Sequence, residues 1–170
     1  MKKANLKKLA LSSLFVAVIA AFAWLSIPTP FGINLAFSLF GVCLAGIVLD
    51  VKWAVFATAV YISLGAIGLP VFSHFTGGPS VLFGASGGFI WGFLITASLC
   101  AISKNIKRKP IKYLAFTAAV LLCHICGVIQ FSFVTGNNLI LSFLTASLPF
   151  LLKDIIFVFI ADLVAKKIKF

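Results

Sequence analysis

One carboxylate stands inside a long apolar run. Asp154 lies five residues past Pro149, in a stretch from about 148 to 166 that reads as a membrane helix. An ionisable group in such a helix costs several kcal/mol unless it is paired, and so marks a functional site by default. An ionised carboxylate only accepts hydrogen bonds, so it suits a ligand N–H or a cation. Lys153 is its sequence neighbour. Adjacent helix positions diverge by about 100°, so the two side chains are expected not to face each other directly.

Other chemistry is sparse. The remaining acids are Asp50 and Asp162, and there is no Glu. No Gly-x-Ser-x-Gly elbow, zinc-protease motif or nucleotide-binding loop occurs, so neither an enzyme nor an ATPase is expected. Cys123-His124-Ile125-Cys126 invites a metal reading. A metal site needs about four converging ligands, whereas Cys123 and Cys126 share a helix face, His124 is expected to point elsewhere, and no second Cys/His cluster exists. Haem attachment would need His directly after the second Cys. No metal or cofactor is expected. Cys43, Cys100, Cys123 and Cys126 all lie in apolar stretches, where a thiol behaves as a small hydrophobe. His74 stands alone among the polar residues of a loop.

Two stripes of small residues follow helical spacing. Gly84, Gly88 and Gly92 recur every four residues, which either lets a neighbouring helix approach closely or leaves room for a ligand beside Ser86. Ser13, Ala17 and Ala21 repeat the pattern in the first helix. That face can dock within the same bundle or against a separate subunit.

These residues must be positioned by membrane helices. Of 170 residues, 62% are hydrophobic and 10% charged, against roughly 25% charged in soluble domains. The mean hydropathy is +1.21. Charge-free runs of 41, 51 and 40 residues separate Lys8 from Asp50, Lys52 from Lys104, and Lys112 from Lys153. The formal charge of +11 is therefore confined to flanks, and a nucleic-acid partner is not expected. With roughly 20 residues per span, the chain divides into six helices in one all-α membrane domain over 1–170, at about 9–27, 34–49, 52–69, 81–102, 113–134 and 148–166. Prolines at 28, 30, 70 and 149 and the Gly77-Gly78-Pro79 turn mark boundaries.

Lys and Arg collect on the cytoplasmic side of membrane proteins. With both termini inside, Lys2, Lys3, Lys7, Lys8, Lys52, Lys104, Lys107, Arg108, Lys109, Lys112, Lys166, Lys167 and Lys169 are all cytoplasmic, thirteen of fourteen, with Lys153 the exception. The outer segments carry none. They are rich in Gly, Pro, Thr, Ser and Asn, and polar backbone at membrane depth is tolerated where it lines a cavity. A pocket that opens outward is expected there. The first 26 residues also look like a secretory signal, with Ala21-Phe22-Ala23 as a cleavage site. The apolar run is longer than a signal core, so the segment is expected to be kept as a helix.

Several motifs resemble the BioY family. Ser26-Ile27-Pro28-Thr29-Pro30-Phe31-Gly32 is similar to its opening motif, and Leu44-Ala45-Gly46 follows on the second helix. Leu64-Gly65-Ala66-Ile67-Gly68-Leu69-Pro70-Val71-Phe72, Thr76-Gly77-Gly78 and Phe83-Gly84-Ala85-Ser86-Gly87-Gly88-Phe89 resemble the long central signature. Leu148-Pro149-Phe150-Leu151 with Asp154 resembles the last motif. The resemblance covers nearly the whole chain. It implies a biotin-binding substrate (S) subunit of an energy-coupling factor transporter in the bacterial cytoplasmic membrane. It also implies six membrane helices, biotin bound near the outer face, and a membrane coupling protein and ATPase subunits as partners.

By the same resemblance, Asp154 would accept a ureido N–H. Phe72, Phe89 and Trp91 would enclose the apolar body, and Thr76, Gly77 and Gly78 would receive the carboxylate end. Ser13, Ala17 and Ala21 would meet the coupling protein. The chain departs from the family pattern at named points. Thr-Leu-Gln-Thr is common where this chain reads Ala36-Phe37-Ser38-Leu39, which puts Ser38 in place of an amide facing the ureido carbonyl. Gly-Pro-Thr-Gly-Gly-Tyr becomes Gly84-Ala85-Ser86-Gly87-Gly88-Phe89. A frequent basic residue is Thr76, and the usual Lys after the last Asp is Phe157. Lys153, four residues before Phe157 on nearly the same face, is the candidate to supply that charge. Two other readings remain open: a self-sufficient, ion-driven transporter using Asp154, Lys153 and His124, and a non-transporting membrane scaffold.

Overall fold

The computed structural model of the chain describes residues 3–28 and 35–168. Thr29-Pro30-Phe31-Gly32 of the opening motif, Lys2 and Lys169 lie outside the described residues. The fold is all-helical but for one short ribbon. Helix α1 spans Lys3–Trp24; strands β1 (Ser26–Ile27) and β2 (Leu35–Ala36) pair antiparallel; α2 spans Ser38–Val48 and α3 Val51–Ala66. A single 3-10 turn, Ser73–Phe75, precedes α4 (Pro79–Phe83) and α5 (Gly87–Ser103). Then come α6 (Lys109–Thr135), α7 (Leu139–Ala146) and α8 (Leu148–Lys167).

Local chemistry sets these limits. Pro79, Pro110 and Pro149 sit in the first turns of α4, α6 and α8, where the missing N–H has no intrahelical partner to lose. Gly136 ends α6 in the left-handed region at φ 71°, a conformation that costs glycine little. Asn138 caps α7 by accepting from the Leu141 N–H at 2.8 Å.

The helix count differs from the expected six: eight are present among the described residues. The expected span at 81–102 is broken at Gly84–Ser86 into α4 and α5. The segment at 139–147 is itself helical, as α7. The expected helix from 34 begins at Ser38, because Leu35 and Ala36 pair in the ribbon. Two helices, Asn5–Trp24 and Lys109–Thr135, are long and apolar enough to cross a membrane. Helix α2 has 11 residues and so runs about 16 Å, roughly half a hydrocarbon core.

Small residues let the central helices approach. A Cβ on Gly46 of α2 would lie 2.8 Å from the Ala97 carbonyl of α5, and one on Gly92 of α5 2.9 Å from the Cα of Cys123 on α6. Gly88 lies in the same way against the Cys126 carbonyl. Gly84 is outside α5, at the end of α4, so the expected three-glycine stripe is a two-glycine packing face.

The basic residues gather at one end. Lys8 meets Asp50 at 2.6 Å, Lys104 donates to the Leu49 carbonyl at 2.6 Å, and Asp162 takes Lys112 at 2.5 Å and Lys166 at 2.8 Å. The Lys8 ammonium holds the Asp50 carboxyl below its ordinary value. Partial burial holds Lys104 below its own. The opposite end carries the ribbon, the 3-10 turn and the break between α4 and α5, and a cavity opens among them.

Candidate ligand-binding site

The cavity lies where the first turns of α2, α5 and α8 meet α6 and the 70s loop. Its volume is about 80 Å³, below the 300–1,000 Å³ usual for ligand pockets. Ser38, Phe72, Ser86, Phe89, Lys153 and Asp154, all expected site residues, line it. Tyr61, Cys123 and His124 line it too.

Asp154 is 6% exposed and sits in a polar row. Its Oδ2 lies 3.3 Å from His124 Nε2, and His124 Nδ1 lies 2.8 Å from Ser147 Oγ. An ionised carboxylate can only accept, so Nε2 donates; in the neutral ring, Nδ1 then accepts from the Ser147 hydroxyl. Oδ1 is different. The Lys153 ammonium lies 2.9 Å away, yet not in a hydrogen-bonding direction, and Oδ1 is buried with no hydrogen bond. It pairs by charge with the Lys153 ammonium.

Lys153 corrects an expectation. It does pair with Asp154, because a four-carbon arm can bend back across the divergence between adjacent positions. Its ammonium also donates to the Ala36 carbonyl at 2.7 Å. It lies 5.2 Å and 5.6 Å from the ring centres of Phe37 and Phe157, distances at which a cation is attracted to an aromatic face. The lysine thus sits over the residue that replaces the usual family Lys, and ties α8 to the base of the ribbon.

The apolar walls are set by absent side chains. Gly127 leaves the space that the Phe89 ring occupies, and Gly65 does the same for Phe72. Phe89 then stands edge-on to His124 at 5.5 Å, and Phe72 edge-on to Tyr61 at 5.5 Å. Gln130 of α6 donates to the carbonyls of both Leu82 and Gly84 at 2.8 Å. It fastens the break that turns Ser86 into the cavity.

Other expected residues fall elsewhere. Thr76, Gly77 and Gly78 do not line the cavity. Thr76 donates to the Ser73 carbonyl at 2.8 Å and accepts from the Phe72 N–H at 3.0 Å, and the Gly78 N–H bonds Gly65 at 2.7 Å. They shape the loop that delivers Phe72. Trp91 is 41% exposed on the far side of α5, because it lies two residues from Phe89 and so turns away. Ser13, Ala17 and Ala21 are exposed along one face of α1. His124 was expected to point away from Cys123, yet both reach the cavity. Among the described residues no cluster of three or more metal-ligating side chains forms, and the four cysteines form no disulfide. Ser147, Tyr61 and Gln130 are not among the sequence candidates, and His124 is there only for the metal and ion-driven readings. The signal for His124 and Gln130 was a polar side chain in an apolar helix.

A family model described as the BioY family matches residues 1–170. The chain is 33% identical over 168 residues to the biotin transporter BioY of Thermotoga maritima, covering 96% of each. It is 32% identical over 158 residues to the biotin transporter BioY2 of Lactococcus lactis, covering 92% of this chain and 86% of that one. Its fold is similar to a crystal structure of the S-component for biotin from an ECF-type ABC transporter, with TM-score 0.88 and 23% identity over 98% of this chain and 93% of that one. It is less similar to FolT bound with folic acid, with TM-score 0.59 and 21% identity over 96% and 95%. At such identities the two structures speak for the fold alone.

Proposed function

This chain belongs to the BioY family, and from that premise we propose that it captures biotin for uptake as the S subunit of an energy-coupling factor transporter. One observation carries the reading: a buried carboxylate, Asp154, lines a cavity walled by aromatic rings and is paired there with Lys153 and His124. A ureido ring offers two N–H donors, and a charge-assisted bond to Oδ1 is the strong kind. His124 holds the other oxygen, and Ser147 orients the His124 ring. Ser38 and Ser86 supply hydroxyls within the same cavity, and Phe72 and Phe89 face the sulfur ring. The cavity, at about 80 Å³, widens to receive the bicycle.

The proposal extends to the setting. The chain crosses a bacterial cytoplasmic membrane in several spans, with the basic end inside and the cavity facing out. Lipid surrounds it, and ATP is hydrolysed on partner chains. The exposed face of Ser13, Ala17 and Ala21 docks the membrane coupling protein. Equilibrium binding of labelled biotin to the purified chain in detergent, beside Asp154→Asn, tests the ligand and the residue together. Folded native chain that binds no biotin would sink the reading.

A second reading has one observation in its favour. Ser147, His124 and Asp154 form a buried row that ends at the partly exposed Lys153, and ion-driven carriers use such rows as proton relays. Uptake that survives ATP depletion and stops on collapse of the proton gradient would favour a self-sufficient carrier.

A further inference from the structure

We infer that the pocket reads the bicyclic head of biotin and not the acid at the end of its chain, so that neutral biotin esters and amides are ligands on a par with the free acid. The inference rests on the biotin reading above and adds the ligand class that the site admits.

The charges facing the cavity already cancel. Among the described residues that line it, the charged side chains are Asp154 and Lys153, with His124 as the remaining ionisable group. The Lys153 charge is already balanced: its ammonium donates to the Ala36 carbonyl, lies 2.9 Å from the Asp154 carboxylate and faces two aromatic rings. His124 has one nitrogen on Ser147 and the other on Asp154. Neither brings an uncompensated positive charge to a second carboxylate.

The sequence supplies no substitute. Residues 53–103 and 113–152, which supply every lining residue except Ala36, Ser38, Leu39, Lys153 and Asp154, contain no Lys or Arg, and neither do residues 29–34. His74 is exposed on the 3-10 turn and is not part of the lining. Thr76, the expected receiver of the acid, spends its hydroxyl on the Ser73 carbonyl at 2.8 Å. A second carboxylate inside this cavity would be an uncompensated buried charge, which is costly. The acid therefore stays at the mouth in water, and a neutral end group there is equally acceptable.

The test is competition against labelled biotin on the purified chain in detergent at neutral pH, with biotin, biotin methyl ester and biotinamide as competitors. The expected result is three affinities within about threefold of one another. An acid held by a cation would leave the neutral analogues about tenfold to a hundredfold weaker, and that result overturns the inference while leaving the biotin reading intact. No binding of biotin itself would overturn the biotin reading, and the inference with it. A second measurement uses Lys153→Met. The ratio of acid to ester affinity should stay as in the native chain, even where both fall. A selective loss of the acid would assign its recognition to Lys153 and overturn the inference.

Discussion

Replacing Asp154 by Asn keeps the shape of the side chain and removes its charge, and two effects then separate. The first is on binding. Oδ1 would lose a charge-assisted bond to the ureido N–H; a hydrogen bond to a charged group contributes about 1.5–3 kcal/mol net, so affinity should fall about 10- to 150-fold. The second is on stability. Lys153 keeps the Ala36 carbonyl at 2.7 Å but loses the carboxylate at 2.9 Å. Breaking a buried pair from one side costs about 3–5 kcal/mol. The Lys153 side chain is 17% exposed and can find water, which places the loss near 3 kcal/mol, or about 6–12 °C in midpoint for a chain of this size. The double variant Asp154→Asn/Lys153→Met removes both charges. It should regain most of the midpoint but none of the affinity. Thermal unfolding and equilibrium binding, both in detergent, read the two effects. If the double variant regains binding along with stability, Asp154 serves the fold and the ligand does not meet it.

Other perturbations probe the supports. Gly127→Ala puts a methyl where the Phe89 ring stands, so it should cost about 1–3 kcal/mol by overpacking and weaken biotin binding; unchanged affinity would separate the ring from the ligand. Gln130→Leu removes both bonds to the Leu82 and Gly84 carbonyls, with an expected loss of about 1–3 kcal/mol and a shifted Ser86; faster hydrogen exchange across 80–90 checks it. Asp50 sits below its ordinary 3.8 because Lys8 donates to it. A lowered folded pKa means the contribution is whole above the unfolded value and is lost as pH falls from about 4 through the folded pKa. Both side chains are about half exposed, so the loss is under about 1 kcal/mol; an acid-side midpoint that drops no further in the native chain than in Asp50→Asn would contradict this. Ala17→Trp on the exposed face of α1 should abolish uptake in cells that supply the coupling protein while leaving biotin binding to the purified chain unchanged; normal uptake would remove that face from the docking surface.

The sequence made Asp154, the apolar helices and the basic end legible because each is a contrast of residue type. A carboxylate in an apolar run costs too much to be accidental, and charge-free stretches limit where helices can lie. The small-residue spacing correctly implied close packing, but it misassigned Gly84, since a helix break inside a glycine-rich stretch leaves no mark on the pattern. Helix α7 and the ribbon were illegible for a related reason: eight residues and two residue pairs are too short to show a period. His124 was judged from its own helix, against Cys123 and Cys126. Its role comes from α8, thirty positions away, whose Asp154 it meets at 3.3 Å. Thr76, Gly77 and Gly78 form the turn behind Phe72 and do not line the cavity, because a motif gives the loop without saying which of its residues face inward.

Lys153 shows what pairwise sequence reasoning omits. By helix angle it should ignore Asp154, and by position it should replace the lysine missing at Phe157. The structure reconciles these through a third element, since Ala36 at the base of the ribbon takes the ammonium and sets it beside both the carboxylate and the Phe157 ring. One atom therefore balances the charge of the site and anchors the chain between α1 and α2. A donor arriving at Oδ1 competes with that ammonium for the same oxygen. On the proposed reading, binding at α8 and the position of Ala36 therefore meet at a single side chain.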